Sequence, residues 1–456
     1  MKKNDILELE ITSLTGEGVG IAKADGMVIF VPFSAVGDKI EARILKVAKN
    51  CSYAKIERLI IPSDDRVEND CTAFGKCGGC ALRHISYEAE ARAKEQQIID
   101  AFTRIGKLSP EFSPFMRNEN PDRYRNKAQY PLAKDKDGKI IYGFFAPNSH
   151  RVVPCLDCKL QPEIFTEIMN YVCAFLAENK ISVYNEEEHK GVMRHVCIRE
   201  GFHSHEINIT LVARRKIPEM KQLAAGLMSK FARIKGVVLN LNTEQTNVIF
   251  GERSITLCGE ADIIDIMCGN KIKISPRSFY QINTHMAERL YEVAKEYAEP
   301  NGKIVLDLYC GAGTIGLSMA REAKQLIGVE IVESAVQNAA ENAELNAVGN
   351  AAFLCGDAGE ATTELLKGNI SPEVVILDPA RRGCDKQTLD NVIKFSPDRI
   401  VMISCNPATA ARDCAYLGAN GYTAKKVQGV DMFSRTGHVE TVVLMSRVEK
   451  QGVKKA

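Results

Sequence analysis

At 456 residues, with 45% hydrophobic and 26% charged, the chain has the length and composition of a globular protein of about two to four domains, not of a fibre or a disordered chain. Its 59 Lys plus Arg against 58 Asp plus Glu leave a formal net charge of +1, which neither demands nor excludes a nucleic-acid partner. No apolar run approaches the ~18 residues of a membrane helix, and Met1–Glu10 lacks the apolar core of a secretory signal. The 15 cysteines are therefore expected as reduced thiols in a cytoplasm.

Residues 5–60 alternate at period two, as in Ile6-Leu7-Glu8-Leu9-Glu10-Ile11 and Ile40-Glu41-Ala42-Arg43-Ile44, with glycines at turn spacing between the runs. That pattern predicts a small OB-like β-barrel over 1–60. Barrels of this size bind looped or single-stranded RNA, or serve as plain structural modules. A central α+β domain is expected over 61–275. It opens on a cysteine-rich stretch and a helix from Ser86 to Ile105, with Ser86 as cap and Glu88 and Glu90 in the first turn. A basic set follows: Arg123, Arg125, Lys127, Arg151, Arg194, His195 and Arg199.

From 276 to 456 the texture becomes helix–strand alternation. Helices are expected at 284–298, 314–323 and 333–346, and strands at 303–308, 325–330, 352–354, 374–377, 399–403 and 441–445. Strands separated by helices predict a parallel, Rossmann-like sheet, so the fold class is multidomain α/β.

The strand ending at Asp307 runs into Leu308-Tyr309-Cys310-Gly311-Ala312-Gly313-Thr314-Ile315-Gly316, whose glycines let backbone approach a ligand at a helix N-terminus. The next two strands end at Glu330 and Asp357, carboxylates placed for ribose hydroxyls and an adenine amine. With Asp307 at the loop entrance and no phosphate-pairing Lys or Arg nearby, the cationic S-adenosylmethionine is favoured over a dinucleotide. Two further strand ends carry Asp378-Pro379-Ala380-Arg381 and Ser404-Cys405-Asn406-Pro407. Asn406 as cap and Pro407 as first helical residue put Cys405 at the positive end of a helix, which favours its thiolate. Glu440 in Gly437-His438-Val439-Glu440 reaches the same rim only if the last strand is antiparallel.

Cys71, Cys77 and Cys80 form a C-x5-C-x2-C run, and Cys155 or Cys158 supplies a fourth thiolate. Such a set suits an iron–sulfur cluster or a closed zinc site, and spacing does not separate the two.

Taken together, these motifs resemble the bacterial RNA uracil-5-methyltransferases, most closely the type that modifies 23S ribosomal RNA, over nearly the whole chain. Gly16-Glu17-Gly18-Val19-Gly20 with Val31-Pro32 is similar to a TRAM domain, and Ser275-Pro276-Arg277-Ser278-Phe279-Tyr280-Gln281-Ile282-Asn283 to the family's cofactor segment. Ala380, Met402 and Thr314 depart from the commoner Pro, Tyr and Asn. The resemblance implies a [4Fe–4S] cluster on Cys71, Cys77, Cys80 and Cys158. It implies cofactor contacts from Gln281, Tyr309, Thr314, Glu330 and Asp357, with Asp378 between cofactor and uracil. It makes Cys405 the nucleophile and Glu440 the general base. It also implies that the helix after the cysteines packs on the catalytic domain.

The expected protein is thus a cytoplasmic monomer that methylates uridine C5 in RNA, most closely 23S rRNA, with no membrane partner. Transfer RNA is the alternative substrate, and an RNA-binding module with a vestigial cofactor fold the alternative class. An amino-group methyltransferase would have an aromatic at 381 and no cysteine at 405; Arg381 and Cys405 argue against it.

Overall fold

A computed structural model describes residues 1–448. Six strands make the N-terminal unit: β1 (Ile6–Glu10), β2 (Ser13–Leu14), β3 (Gly20–Ala24), β4 (Met27–Val31), β5 (Lys39–Val47) and β6 (Cys51–Ile61). They form one sheet in the order β1-β5-β6-β4-β3-β2. Its inward positions, among them Leu9, Ala22, Ile29, Val31, Ile40 and Ile44, close a single core, as the period-two alternation requires.

Helix α1 (Tyr87–Asp100) begins where the Ser86 hydroxyl accepts the Ala89 N–H at 3.2 Å, and it continues through a π-helical turn, Ala101–Ile105. Ile98, Ala101 and Phe102 pack with Ala410, Ala411 and Leu417 of the C-terminal core. A two-residue strand, β7 (Glu111–Phe112), then joins the edge of the C-terminal sheet. By packing, this helix joins the C-terminal core.

The central sheet holds β8 (Lys127–Lys134), β9 (Ile140–Phe145), β10 (Val152–Pro154), β11 (Met193–Glu200), β12 (Ile207–Ala213), β13 (Ile234–Leu241) and β14 (Arg253–Gly259), in the order β10-β9-β8-β11-β12-β13-β14. Helices α2 (Glu163–Glu178) and α3 (Glu219–Lys230) cover one face through Phe165, Ile168, Val172, Leu223 and Leu227. A hairpin follows, β15 (Ile263–Met267) and β16 (Asn270–Ile274). The sequence placed it in the central segment. Its buried Ile263, Met267, Ile272 and Ile274 instead pack with Met286, Leu290 and Leu317 of the C-terminal part, because only that side offers them an apolar face.

The C-terminal part runs α4 (Thr284–Ala298), β17 (Ile304–Leu308), α5 (Thr314–Met319), β18 (Gln325–Glu330), α6 (Glu333–Leu345), β19 (Ala351–Cys355), α7 (Ala358–Lys367), β20 (Val374–Leu377), α8 (Lys386–Phe395), β21 (Arg399–Ser404), α9 (Pro407–Ala419), β22 (Tyr422–Val430) and β23 (Glu440–Arg447). The sheet order is β19-β18-β17-β20-β21-β23-β22-β7. Strands β17 to β21 are parallel, and β23 runs antiparallel to both β21 and β22. From β17 the chain winds first to β18 and β19, then to β20 and β21 on the other side. The carboxyl ends at this reversal open the crevice where ligands of such sheets bind. No helix among the described residues is long and apolar enough to cross a membrane.

Candidate active site

A cleft of about 1350 Å³ opens at that reversal. Gln281, Tyr309, Glu330, Asp357, Asp378, Cys405 and Glu440 all line it, together with Arg125, Arg381, Phe433 and His438. Thr314 does not. It opens α5, and its hydroxyl lies 3.1 Å from the Tyr291 hydroxyl, so it is engaged behind the loop.

The glycine loop after β17 turns through left-handed conformations at Tyr309 (φ 66°) and Gly313 (φ 79°). The tyrosine is unusual there, since a side chain at that φ is strained. Glu330 accepts the Gly311 N–H at 3.1 Å on one oxygen and the Val332 N–H at 2.9 Å on the other. Backbone thus fixes this carboxylate at the cleft while spare lone pairs remain for a diol. Asp357 caps α7, accepting from Gly359 N–H at 2.9 Å through Oδ1. Asp307, expected at the loop entrance, is turned inward. Its Oδ2 accepts the Gly316 N–H at 2.9 Å, while Oδ1 is buried without a partner.

Carboxyls dominate the electrostatics. Burial, reinforced by Asp378, pushes Asp307 up to about 8. Burial alone pushes Asp378 up to about 7. Glu440 is held well above the carboxylate range by burial and then by Asp378, with Arg381 opposing. A cavity with several carboxyls close enough to resist ionising together favours a cation.

Cys405 stands immediately before Asn406, whose side chain accepts the Ala408 N–H at 3.1 Å as cap of α9, with Pro407 as first helical residue. The placement at the helix start is the one the sequence predicts. Burial and the neighbouring Glu440 push the thiol up, against the opposing pull of Arg381. Ser404 of β21 pairs with Thr441 of β23. One register step outward in this antiparallel pair brings Cys405 and Glu440 face to face at the rim. The Arg381 guanidinium lies 3.2 and 3.3 Å from the two ring nitrogens of His438, while the Arg381 carbonyl accepts from Asn406 and Thr409. The adjacency of Arg381 and His438 has no mark in the sequence and arises from the fold.

Most of the basic set is engaged elsewhere. Arg123 donates to the carbonyls of Cys158 and Gln161 at 2.9 Å and pairs with Asp157. Arg194 donates to the Glu244 carbonyl at 2.6 Å, and Arg199 to the Ser278 carbonyl at 2.8 Å. Burial pushes the Lys127 ammonium down to about 8 and His195 down to about 4. Arg125 alone of this set lines the cleft.

A second, smaller cavity is lined by Cys71, Cys77, Cys80, Cys155 and Cys158, with Arg83 and Arg125 on its wall. All five thiols are free. Hydrogen bonds with Cys155 pull Cys71 down to about 6 and Cys158 down to about 7, while burial raises Cys77 and takes Cys80 up to about 12. The Gly79 N–H donates to Cys77 Sγ at 3.3 Å. Among the described residues, no group of three or more His, Cys, Asp or Glu side chains is arranged to hold a metal ion, these cysteines included.

The pattern of the family described as tRNA (Uracil-5-)-methyltransferase matches residues 86–448, and that of the TRAM domain of tRNA (uracil(54)-C(5))-methyltransferase matches 7–63. An RNA methyltransferase of Clostridium tetani is 41% identical over 98% of this chain and 97% of its own length. One of Halalkalibacterium halodurans is 40% identical over 98% of each. Among solved structures, Pyrococcus abyssi tRNA (uracil-54, C5)-methyltransferase in complex with S-adenosyl-L-homocysteine superposes with a TM-score of 0.77 at 27% identity, over 96% of this chain and 99% of that one.

Proposed function

The chain belongs to the tRNA (uracil-5-)-methyltransferase family, with an N-terminal TRAM domain and S-adenosylmethionine as methyl source, and from that premise we propose that Cys405 and Glu440 carry out C5 methylation of uridine in 23S ribosomal RNA. The observation that carries this reading is the meeting of Cys405 and Glu440 at one rim of the cleft that Gln281, Glu330, Asp357 and Asp378 also line.

The Cys405 thiolate adds to C6 of the uracil ring, opening the C5=C6 double bond and sending its electron pair towards O4. C5 thereby becomes nucleophilic and takes up the methyl group, while the methyl–sulfonium bond breaks and its electron pair stays on that sulfur. S-adenosylmethionine, when bound, supplies the electrophilic methyl sulfonium, whose positive charge suits the carboxyl-lined cleft. Glu440 then removes the C5 proton. The released pair re-forms C5=C6 and expels the Cys405 thiolate. A carboxylate raised by burial is a stronger base than an ordinary one, which suits the carbon-bound proton. Arg381 supplies the positive charge that favours the sulfur anion at both ends of the cycle. Both ring faces must be reached, so the uridine leaves its stack to enter the cleft.

We propose an inorganic cluster for the five-thiol cavity, on the resemblance of its cysteine run. Its donors are all sulfur, and Arg83 and Arg125 on its wall would offset the charge of an anionic cluster. Cys71, Cys77, Cys80 and Cys158 would hold a [4Fe–4S] group, with Cys155 hydrogen-bonded between Cys71 and Cys158.

The 23S substrate rests on the resemblance of the cysteine and TRAM segments. A second reading, a uridine in transfer RNA, is favoured by the tRNA enzyme of Pyrococcus abyssi, which superposes over almost its full length. Mapping 5-methyluridine in 23S rRNA and tRNA from cells with and without this protein decides between them. Loss from neither RNA would overturn the function itself.

A further inference from the structure

Between β22 and β23 the chain makes a loop, residues 431–439, that leads directly into Glu440 and carries Phe433 and His438 into the cleft. Its foundation is a buried charge group supplied by α1, more than three hundred residues earlier. The Lys94 ammonium, 1% exposed, donates to Glu90 Oε1 at 2.7 Å, to Asp431 Oδ1 at 2.7 Å and to the Phe433 carbonyl at 3.1 Å. Its three protons are all used, and both carboxylates are fully buried. Glu90 Oε1 also accepts the Arg435 N–H at 2.7 Å, and Asp431 Oδ2 accepts from the Tyr87 hydroxyl at 2.6 Å and from Ser434 at 2.8 Å. Arg435 sits at φ 69°, a conformation costly for a non-glycine residue and held by these contacts.

The same loop is where three parts of the molecule meet. The Arg435 carbonyl accepts the N–H groups of Ala81 and Leu82, just beyond the last cysteine of the C-x5-C-x2-C run. Gly437 lies against the backbone of Gly16 and Glu17 in the barrel, with no room for a Cβ. Buried ion groups of this kind are commonly no more stabilising than a packed apolar cluster would be. What an apolar cluster cannot do is fix individual backbone N–H and C=O groups in place. Lys94 and Glu90 do that to the loop at Phe433 and Arg435.

We infer that Lys94, with Glu90 and Asp431, is a positioning residue that holds the 431–439 loop so that Glu440 faces the C5 proton. This rests on the reading of Glu440 as the eliminating base. Lys94 is buried and does not line the cleft, so it acts through the loop and not by direct contact there.

The test uses the full chain with Lys94→Met made together with Glu90→Gln, which removes one buried charge of each sign, and separately Asp431→Asn, which is nearly isosteric. In each, kcat should fall by ~10- to 100-fold, the scale of an ångström-sized misplacement, while the KM for RNA stays within about twofold. A methylated covalent RNA adduct should accumulate, because addition and methyl transfer survive. Unchanged kcat with no adduct in either variant overturns the inference, as does a raised KM at unchanged kcat. If the double variant does not fold, Asp431→Asn alone decides by the same readouts. Wild-type protein incubated with RNA containing 5-fluorouridine is the control. Fluorine cannot leave as a cation, so an adduct must form there, and its absence would overturn the Cys405 reading itself, independently of Lys94.

Discussion

The cysteine cavity and the large cleft both present thiols, but only the cleft sets a carboxyl, Glu440, against the thiol. Around Cys71 and Cys158, sulfur-to-sulfur hydrogen bonds with Cys155 and the guanidiniums of Arg83 and Arg125 bring two thiols down to about 6 and about 7. Around Cys405, burial and Glu440 push the thiol up, and Arg381 alone opposes them. In the same cysteine cavity burial raises Cys77 and takes Cys80 up to about 12, so the two sites share the effect of burial and differ in their charged neighbours. Arg125 lines both cavities and marks where the two fields meet.

The sharpest way to break this contrast is at Cys405 and Glu440. Cys405→Ala should abolish both methylation and covalent attachment to RNA. Glu440→Gln leaves addition and methyl transfer intact but cannot accept the C5 proton, so a methylated adduct should accumulate as an RNA-linked band on a denaturing gel. If Glu440→Gln turns over normally, or is inactive with no adduct, another group is the base. On the other side of the contrast, protein purified without oxygen should be brown. Cys77→Ala should bleach it and loosen residues 71–160 to proteolysis; a colourless protein with stoichiometric zinc would reject the cluster.

Smaller effects sharpen the cleft. Glu330→Ala removes a carboxylate held by two backbone N–H groups, at a cost of ~1.5–3 kcal/mol, so S-adenosylmethionine should bind roughly 10- to 100-fold more weakly by titration. Asp378 tests the field. Its folded value of about 7 lies above its ordinary 3.8, so the folded protein binds the proton more tightly than the unfolded chain. Its contribution to stability is present in full below about 4 and is lost as pH rises towards about 7. Melting temperature without ligand should fall with rising pH across that window, and Asp378→Asn should flatten the fall. Thr314→Ala should change cofactor affinity least, because its hydroxyl faces Tyr291 and not the cleft.

The helix–strand alternation after residue 284 was legible because each strand is a short apolar run bounded by a cap or a glycine. Helix α4 and strand β18 fall where the pattern puts them. Helices α7 and α8 and strand β22 carry no such mark: Ala358–Lys367 begins Ala-Gly-Glu and Tyr422–Val430 carries lysines inside its run. The strand-tip motifs pointed to Cys405, Glu330, Asp357 and Asp378, because chemistry at a strand end leaves a local signature of glycine, proline and carboxylate.

Strand-end chemistry, the TRAM-like alternation and the cysteine spacing are therefore written in the sequence, each within a window of a few residues. What only the tertiary structure decided is which of these windows face one another. Glu440 opposes Cys405 because β23 runs antiparallel to β21, and pairing direction has no local sequence mark. Thr314 and Asp307 turn away from the cleft because a side chain's direction depends on the loop's backbone angles, not on its place in a motif. Arg123, Arg194 and Arg199 of the basic set donate to backbone carbonyls that lie tens of residues away in the chain. Nothing in the sequence around Lys94 marks it as buried. Its burial against Asp431 arises only when α1 crosses onto the C-terminal sheet and a charge shielded from water must find its counter-charges there.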